Sequence, residues 1–378
     1  RLSAPGPKLV RSFVLSATLS LRPNRFAWQG VERMDWGGMS ITLGISLALS
    51  YALTFLVRWG ALKLGWTHRP DPRKWRRQTN PHTAPIAMGG GFAILGSVVL
   101  SAALLPSPPF LLLLFGAVAF SLGFYDDLRS PRPIYRLLLQ FLLASFSVTF
   151  IGWVKGFPDG LAILLSVVGI AGMMNSVNMM DNMDGVASGL MTLAMLGFAV
   201  LGAVTNNPQV TVLGVLVAGA ALGFWWHNRP PARIFMGDAG SLLLGYLLAV
   251  TAILASRGEF GHWLGRVGAP FLLLSVFLTD TAFVVLWRAR HGLPVMQGDR
   301  NHTSHRLAVL AGSEWRANLA LYTMQLMMGI CALGVSLLPP LPSALLILFA
   351  IALLALFAHR LWQVDVEDGE SDGSGDGA

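Results

Sequence analysis

Apolar runs near twenty residues long, separated by short polar connections, make up most of this 378-residue chain. A helix of that length reaches across the ~30 Å hydrocarbon layer of a bilayer. Eleven such spans can be placed, near 41–59, 87–105, 108–124, 135–153, 161–178, 187–204, 209–226, 241–256, 267–287, 317–337 and 341–361. Some are only sixteen or seventeen residues long, so the pattern predicts an all-α, polytopic membrane protein of about 10–11 transmembrane helices. No repeat or linker divides the runs, and a single transmembrane domain is expected over 39–362. Residues 1–38 mix Pro, Ser and Arg, and their apolar piece FVLSATLSL is too short to span. They read as a poorly ordered extension, with Met34 or Met39 as a candidate start. The acidic, Gly- and Ser-rich tail 363–378 reads as disordered.

Composition agrees with this picture: 54% of residues are hydrophobic and 12% charged, against roughly 25% charged in soluble domains. The lone cysteine, Cys331, excludes an internal disulfide. The net charge of +8 is accounted for without nucleic acid as a partner. Connections 58–86, 125–136, 179–186, 227–240 and 288–316 hold 17 Lys and Arg, whereas the alternate connections hold 3: Lys155, Arg257 and Arg266. The positive-inside rule puts the first set in the cytoplasm and the N-terminus outside.

Every acidic cluster between the spans falls on that same basic face. In NSVNMMDNMDG, Asn178, Asp181 and Asp184 step by three and share a face if helix continues. In GFYDDLRSPRPIYRLLLQ, Asp126 and Asp127 are neighbours and cannot point the same way. One is expected to face a site while the other holds a helix end or a cation. Asp238 in RIFMGDAGSLLLGY begins the eighth span, where it could cap the helix with its carboxylate exposed. A lone Asp in such a place is usually a cap or a solvated loop residue. Three clusters at one depth are harder to explain so, because the chain has 19 acids and six of them lie in the tail. Hard oxygen donors without cysteine suit magnesium, with manganese as its substitute, rather than zinc.

The last connection reads GDRNHTSHRL, with His302 and His305 flanked by Arg300 and Arg306. A zinc pair, a clamp for a diphosphate and a cationic membrane surface all remain open for it. An earlier connection carries Arg73, Lys74, Arg76 and Arg77 before a glycine triplet and could hold an anionic head group. Arg136 and Gln140, four apart, can face the cavity of the aspartate pair. Acids for a metal, bases for phosphates and a membrane location together suggest phosphoryl chemistry on a lipid carrier. An ion-coupled transporter would also use intramembrane acids, but nearer the midplane.

These motifs resemble those of the polyprenyl-phosphate N-acetylhexosamine-1-phosphate transferases. NSVNMMDNMDG is similar to the family's N-x-x-N-x-x-D-G-x-D-G, and FMGDAGSLLLG to its F-M-G-D-x-G-S-x-x-L-G. YDDL with Arg136 and Gln140 looks like its aspartate pair with downstream R and Q, and DRNHTSHRL like its D-R-x-H-x-H-H-R-L loop. The resemblance covers about 60–310. It implies a magnesium-dependent enzyme of the bacterial inner membrane with a cytoplasmic active site. Such an enzyme passes a sugar 1-phosphate from a UDP-sugar to polyprenyl phosphate and releases UMP. It also implies that Asp238 is the main metal ligand, with Asn178 or the aspartate pair completing the shell. Asp126 or Asp127 would deprotonate or orient the lipid phosphate, and Asp181 and Asp184 would line the nucleotide pocket. Phe235 would stack on uracil, and His302, His305 and Arg306 would contact the sugar-phosphate side. Attack could be direct or pass through a covalent aspartyl intermediate, and a homodimer is left open.

Three departures stand out. Asn182 replaces a glycine, Ser304 replaces the middle histidine of a triplet, and WRRQTNP interrupts the first-loop pattern, where His82 is the nearest counterpart. The related transferase of phospho-N-acetylmuramoyl-pentapeptide is the competing reading; its run of three histidines is absent from HTSH. An inactive paralogue acting as a scaffold is a further alternative.

Overall fold

A computed structural model of the chain describes residues 35–68, 85–129, 131–294 and 301–364. The expectations for Arg73, Lys74, Arg76, Arg77, His82 and Arg300 fall outside the described residues, as do those for most of the N-terminal extension and the tail.

The helices are α1 (Trp36–Leu64), α2 (Gly90–Ala103), α3 (Phe110–Arg129), α4 (Pro133–Ile151), α5 (Asp159–Met180) and α6 (Val186–Val204). They continue with α7 (Pro208–Asn228), α8 (Gly237–Ala255), α9 (Trp263–Arg290), α10 (Thr303–Ala311), α11 (Glu314–Leu337) and α12 (Pro340–Trp362). Each of the eleven predicted spans corresponds to one helix. Ten are long and apolar enough to cross a membrane, and the protein is an all-α multi-pass membrane protein. Helix α2 has 14 residues and rises only about 21 Å, short of a full crossing. The nine-residue α10 was not predicted; it lies within the connection 288–316. A two-stranded ribbon, β1 (Thr67–His68) with β2 (Ile86–Ala87), precedes α2.

Helix α8 is the hub. Every residue from Ala239 to Ala255 is buried, and α3, α5, α2, α6, α7 and α9 pack around it. The outer helices instead expose large apolar side chains, such as Phe55 on α1 and Leu348 on α12, the surface expected to meet lipid. Connections of like parity meet at one end of the bundle. At the end away from the acids, the Lys155 N–H donates to Ser256, the Arg257 guanidinium to the Ile151 carbonyl, and the Glu259 N–H to the Thr205 carbonyl. This is the alternating arrangement that the charge pattern implied.

Close helix approach depends on small residues, as is usual where lipid tails remove the hydrophobic drive for helix association. Gly219 and Gly223 on α7 face α1, where the Ser46 and Ser50 hydroxyls donate to the carbonyls of Leu216 (2.7 Å) and Ala220 (2.6 Å). A Cβ at Gly219 would sit 2.6 Å from the Leu43 carbonyl, and one at Gly223 would strike the Leu47 carbonyl. Gly223→Leu is therefore expected to lose at least about 1–3 kcal/mol by overpacking. Gly60→Leu on α1, where a Cβ meets nothing within 4 Å, serves as the neutral control. Thermal unfolding in detergent compares the two; equal stability of the variants would contradict the packing.

Candidate active site

The site is assembled at the ends of α3, α5 and α8. Asp127, near the end of α3, accepts the backbone N–H of Asp238 (2.8 Å) and of Ala239 (3.1 Å). It thus satisfies two of the unpaired donors that begin α8 and places a negative charge at the positive end of the helix dipole. Two glycines permit the approach. A Cβ on Gly123 would overlap the Asp238 carbonyl, and one on Gly237, whose φ is +76°, would lie 2.8 Å from the Asp127 carboxylate. Asp126 points elsewhere, as neighbours on a helix must. It is buried and pairs with Arg136 of α4, whose guanidinium also lies 3.5 Å from Asp238 Oδ2. The two aspartates diverge as expected, but Asp127 both lines the site and holds the helix end, while Asp126 holds a cation. Asp238 does not cap its own helix. It sits in the first turn, half-exposed, and Asp127 supplies the cap.

Helix α5 stops at Met180, so Asn178, Asp181 and Asp184 do not form one continuous helical row. Asp181 is the C-terminal cap residue, and a turn ending at Gly185, with φ +74°, leads into α6. The turn nevertheless delivers all three residues to one pocket. The Asn178 amide nitrogen donates to Asp238 Oδ1 (2.7 Å) and to the Ser241 hydroxyl (2.9 Å), so it orients Asp238. Asp184 accepts the Ala232 N–H (2.8 Å). Asn228 accepts the Gly185 N–H and the Ser188 hydroxyl while donating to the Ile234 carbonyl. These bonds join the turn after α5 to the turn before α8. Gln140 is fully buried and does not face the pocket; its amide oxygen accepts the Asn175 amide.

The resulting cavity, about 310 Å³, is lined by Asp127, Asn178, Asp181, Asp184, Phe235 and Asp238, with Asn182, Asn228, His305 and Glu314 completing its walls. Burial, and then the charges of Asp238, Asp184 and Asp127, push the Asp181 carboxyl up to about 8. Such a site attracts a cation. Among the described residues no three His, Cys, Asp or Glu side chains converge as a ready-made metal cage. The donor set still suits magnesium, which takes one or two carboxylates and fills its shell with water and phosphate oxygens.

The profile of the glycosyl transferase family 4 matches residues 109–256, the stretch that carries every one of those aspartates. The chain is 28% identical over 309 residues to a probable undecaprenyl-phosphate N-acetylglucosaminyl 1-phosphate transferase of Bacillus subtilis, covering 76% of this chain and 82% of that protein. It is 30% identical over 334 residues to the decaprenyl-phosphate N-acetylglucosaminephosphotransferase of Mycolicibacterium smegmatis, with 77% and 80% covered. It is 31% identical over 263 residues to a phospho-N-acetylmuramoyl-pentapeptide-transferase of Synechococcus sp., with 58% and 76% covered. The chain belongs to glycosyl transferase family 4. It is a membrane-embedded transferase.

The histidine loop of this family 4 transferase lies beyond the matched stretch. Of its three expected contact residues, the structure brings only His305 to the pocket. His302 is buried, with Nδ1 2.9 Å from Asp280 Oδ2. Arg306 is buried too. It reaches the carbonyls of Leu361 and Val364 at the end of α12, donates to Asn301, and lies over the rings of Phe283 and Trp287. Arg306 therefore fastens α10 to α12 instead of facing the pocket. Asp280 was not anticipated. It accepts the N–H and hydroxyl of Thr303 as well as His302, and so anchors the start of α10. Its signal was present in the sequence, because it is the one acid inside any of the eleven predicted spans, and an ionisable residue there marks a functional or structural site. Two of the three departures from the family pattern touch each other: the Ser304 hydroxyl donates to Asn182 Oδ1 at 2.6 Å.

Asp280→Ala is expected to cost about 3–5 kcal/mol, since it strands several buried donors. Asp280→Asn, which keeps an acceptor, should cost less. Unfolding in detergent measures both. For Asn182→Ala and Ser304→Ala, a double-mutant cycle on stability should return a coupling of about 0.5–1.5 kcal/mol. Strict additivity would show that the bond contributes nothing.

Proposed function

We propose that the protein transfers an N-acetylhexosamine 1-phosphate, N-acetylglucosamine 1-phosphate first among them, from a UDP-sugar to polyprenyl phosphate and releases UMP. The carrier would be undecaprenyl phosphate and the reaction the first membrane step of a cell-envelope polysaccharide. The observation that carries this reading is the convergence of Asp127, Asp181, Asp184 and Asp238, from three distant segments, on one pocket beside Phe235. The names of the similar proteins supply the chemical class: two are polyprenyl-phosphate N-acetylglucosamine phosphotransferases. The 17-to-3 bias in basic residues supports a cytoplasmic opening in a bacterial inner membrane.

In this mechanism a phosphate oxygen of the lipid attacks the sugar-bearing phosphorus of the UDP-sugar. A new P–O bond forms as the bond from that phosphorus to the UMP oxygen breaks, and UMP leaves with the electron pair. Catalysis of such a displacement rests on position and on charge compensation. Asp238, with Asp181 beside it, would hold magnesium, and Asn178 keeps the Asp238 carboxylate aimed into the pocket. When bound, the ion neutralises charge on the diphosphate. Arg136 stands 3.5 Å from Asp238 and adds positive charge at the same place. Both oxygens of Asp127 are engaged by backbone N–H groups, and Asp126 is paired with Arg136. We assign these two to fixing Asp238 and Arg136, with direct attack by the lipid phosphate as the route. Phe235 offers a half-buried ring to stack on the uracil, and His305 and Glu314 line the same pocket.

Purified protein in detergent, given polyprenyl phosphate and a panel of UDP-sugars that includes the UDP-muramoyl-pentapeptide, should release UMP with an N-acetylhexosamine donor. EDTA should abolish the release and added magnesium restore it. Preference for the muramoyl-pentapeptide would favour that branch of the family, and solute exchange without UMP would favour a transporter. Asp238→Asn and Asp127→Asn should each lower kcat by about 10²-fold or more. Turnover near the wild-type rate in both variants would defeat the assignment.

A further inference from the structure

At the same end of the bundle, outside the carboxylate pocket, lies a second cavity of about 330 Å³. Its walls come from the end of α7, the turn that follows it and the first turn of α11: Trp226, His227, Arg229, Pro230, Arg233 and Trp315. Electrostatically it is the opposite of the first pocket. Among the described residues no carboxylate lines it. The Arg229 guanidinium lies over the Trp226 ring, 4.2 Å from its centre. Arg58 and Arg233 stand close enough to His227 for their charges to act on it. Among the described residues, neither Arg229 nor Arg233 has a carboxylate within ion-pair distance. The nearby Asp184 lines the other pocket, where it accepts the Ala232 N–H.

Two features say what kind of anion fits. Trp226 and Trp315 are 50% and 39% exposed, and tryptophans at the ends of spanning helices mark the head-group level of a bilayer. Guanidinium groups at that level suit a phosphate, which they can engage with paired N–H donors. We propose that this cavity binds the phosphate of an anionic membrane phospholipid, at a site distinct from the carboxylate pocket. The two sites share one turn. Asn228 lines the carboxylate pocket and Arg229, the next residue, lines the lipid site. Ala232 and Ile234, further along, hold Asp184 and Asn228 in place. A lipid held here therefore braces the segment that carries Phe235 and Asp238.

The test uses the full-length protein in nanodiscs containing equal amounts of phosphatidylglycerol and phosphatidylcholine, released into native mass spectrometry. The wild type should retain phosphatidylglycerol in preference to phosphatidylcholine, and millimolar inorganic phosphate should not replace it. Arg229→Gln/Arg233→Gln should weaken retention roughly tenfold or more. Arg229→Lys/Arg233→Lys should keep most of it. Arg233 is exposed, so Arg233→Gln alone gives a variant whose folding is not at stake, with a smaller loss in the same direction. Unchanged retention in the glutamine variants, equal retention of phosphatidylcholine, or displacement of the lipid by inorganic phosphate would each overturn the proposal. None of these readouts depends on UMP release, so failure here and failure of the transferase reading are separable.

Discussion

Asp127 accepts two of the free N–H groups in the first turn of α8, those of Asp238 and Ala239, and through those bonds the end of α3 determines where α8 begins. A helix start carries unpaired donors and a partial positive charge, which a buried or half-buried end must have answered by an acceptor. Here the acceptor is a carboxylate from a segment more than a hundred residues earlier. Because α8 is the packed centre of the bundle, its position sets those of Asp238 and Ser241, and so of the Asn178 side chain that bonds to both. Gly123 and Gly237 belong to the same constraint, since a side chain at either would occupy the space the carboxylate contact needs.

Apart from Arg136, which pairs with Asp126 and stands 3.5 Å from Asp238, charge at this end of the molecule is separated by sign. One pocket gathers Asp127, Asp181, Asp184 and Asp238, and the other gathers Arg229, Arg233 and His227. In water such groups would be screened within about 8–10 Å. In cavities lined by buried helices they lose hydration and act more strongly on one another; burial first, and then the neighbouring carboxylates, displace the Asp181 carboxyl to about 8. The first pocket is suited to a cation and the phosphates it would bring, and the second to an anionic head group. The turn from Asn228 to Ile234 is the wall between them, tied on one side to Gly185 and Ser188 and to Asp184 at its centre.

The transmembrane helices were legible because each run had to cover the same hydrocarbon thickness with its own backbone bonds paired, a demand that acts on local composition. The nine-residue α10 was not, since its order comes from Asp280 on α9 and from the contacts of Arg306 with α12, which no local pattern displays. The aspartates of the site were legible for a related reason. Acids are costly in a membrane protein, so those kept at one depth on one face point to a common use. The division of roles was less accessible. That Asp126 and Asp127 diverge follows from helix geometry, whereas which one caps α8 depends on the crossing of α3 with α8 at Gly123. Arg306, beside His305 in the chain, turns toward α12 because the carbonyls of Leu361 and Val364 accept its guanidinium and the rings of Phe283 and Trp287 lie against it.

By itself the sequence determined the count of spans to within one, the alternation of their connections between the two ends of the bundle and the end at which the acids gather, because hydrophobic length and charge bias act residue by residue along the chain. The tertiary structure decided which side chains meet. It turned a row that seemed helical at Asn178, Asp181 and Asp184 into a helix end and a turn, paired Asn182 with Ser304 across 122 positions, and took His302 and Arg306 out of the pocket. Those outcomes depend on helix crossings that only packing defines. A side chain's direction follows from the local backbone, but what it reaches is settled by the helix that happens to lie opposite.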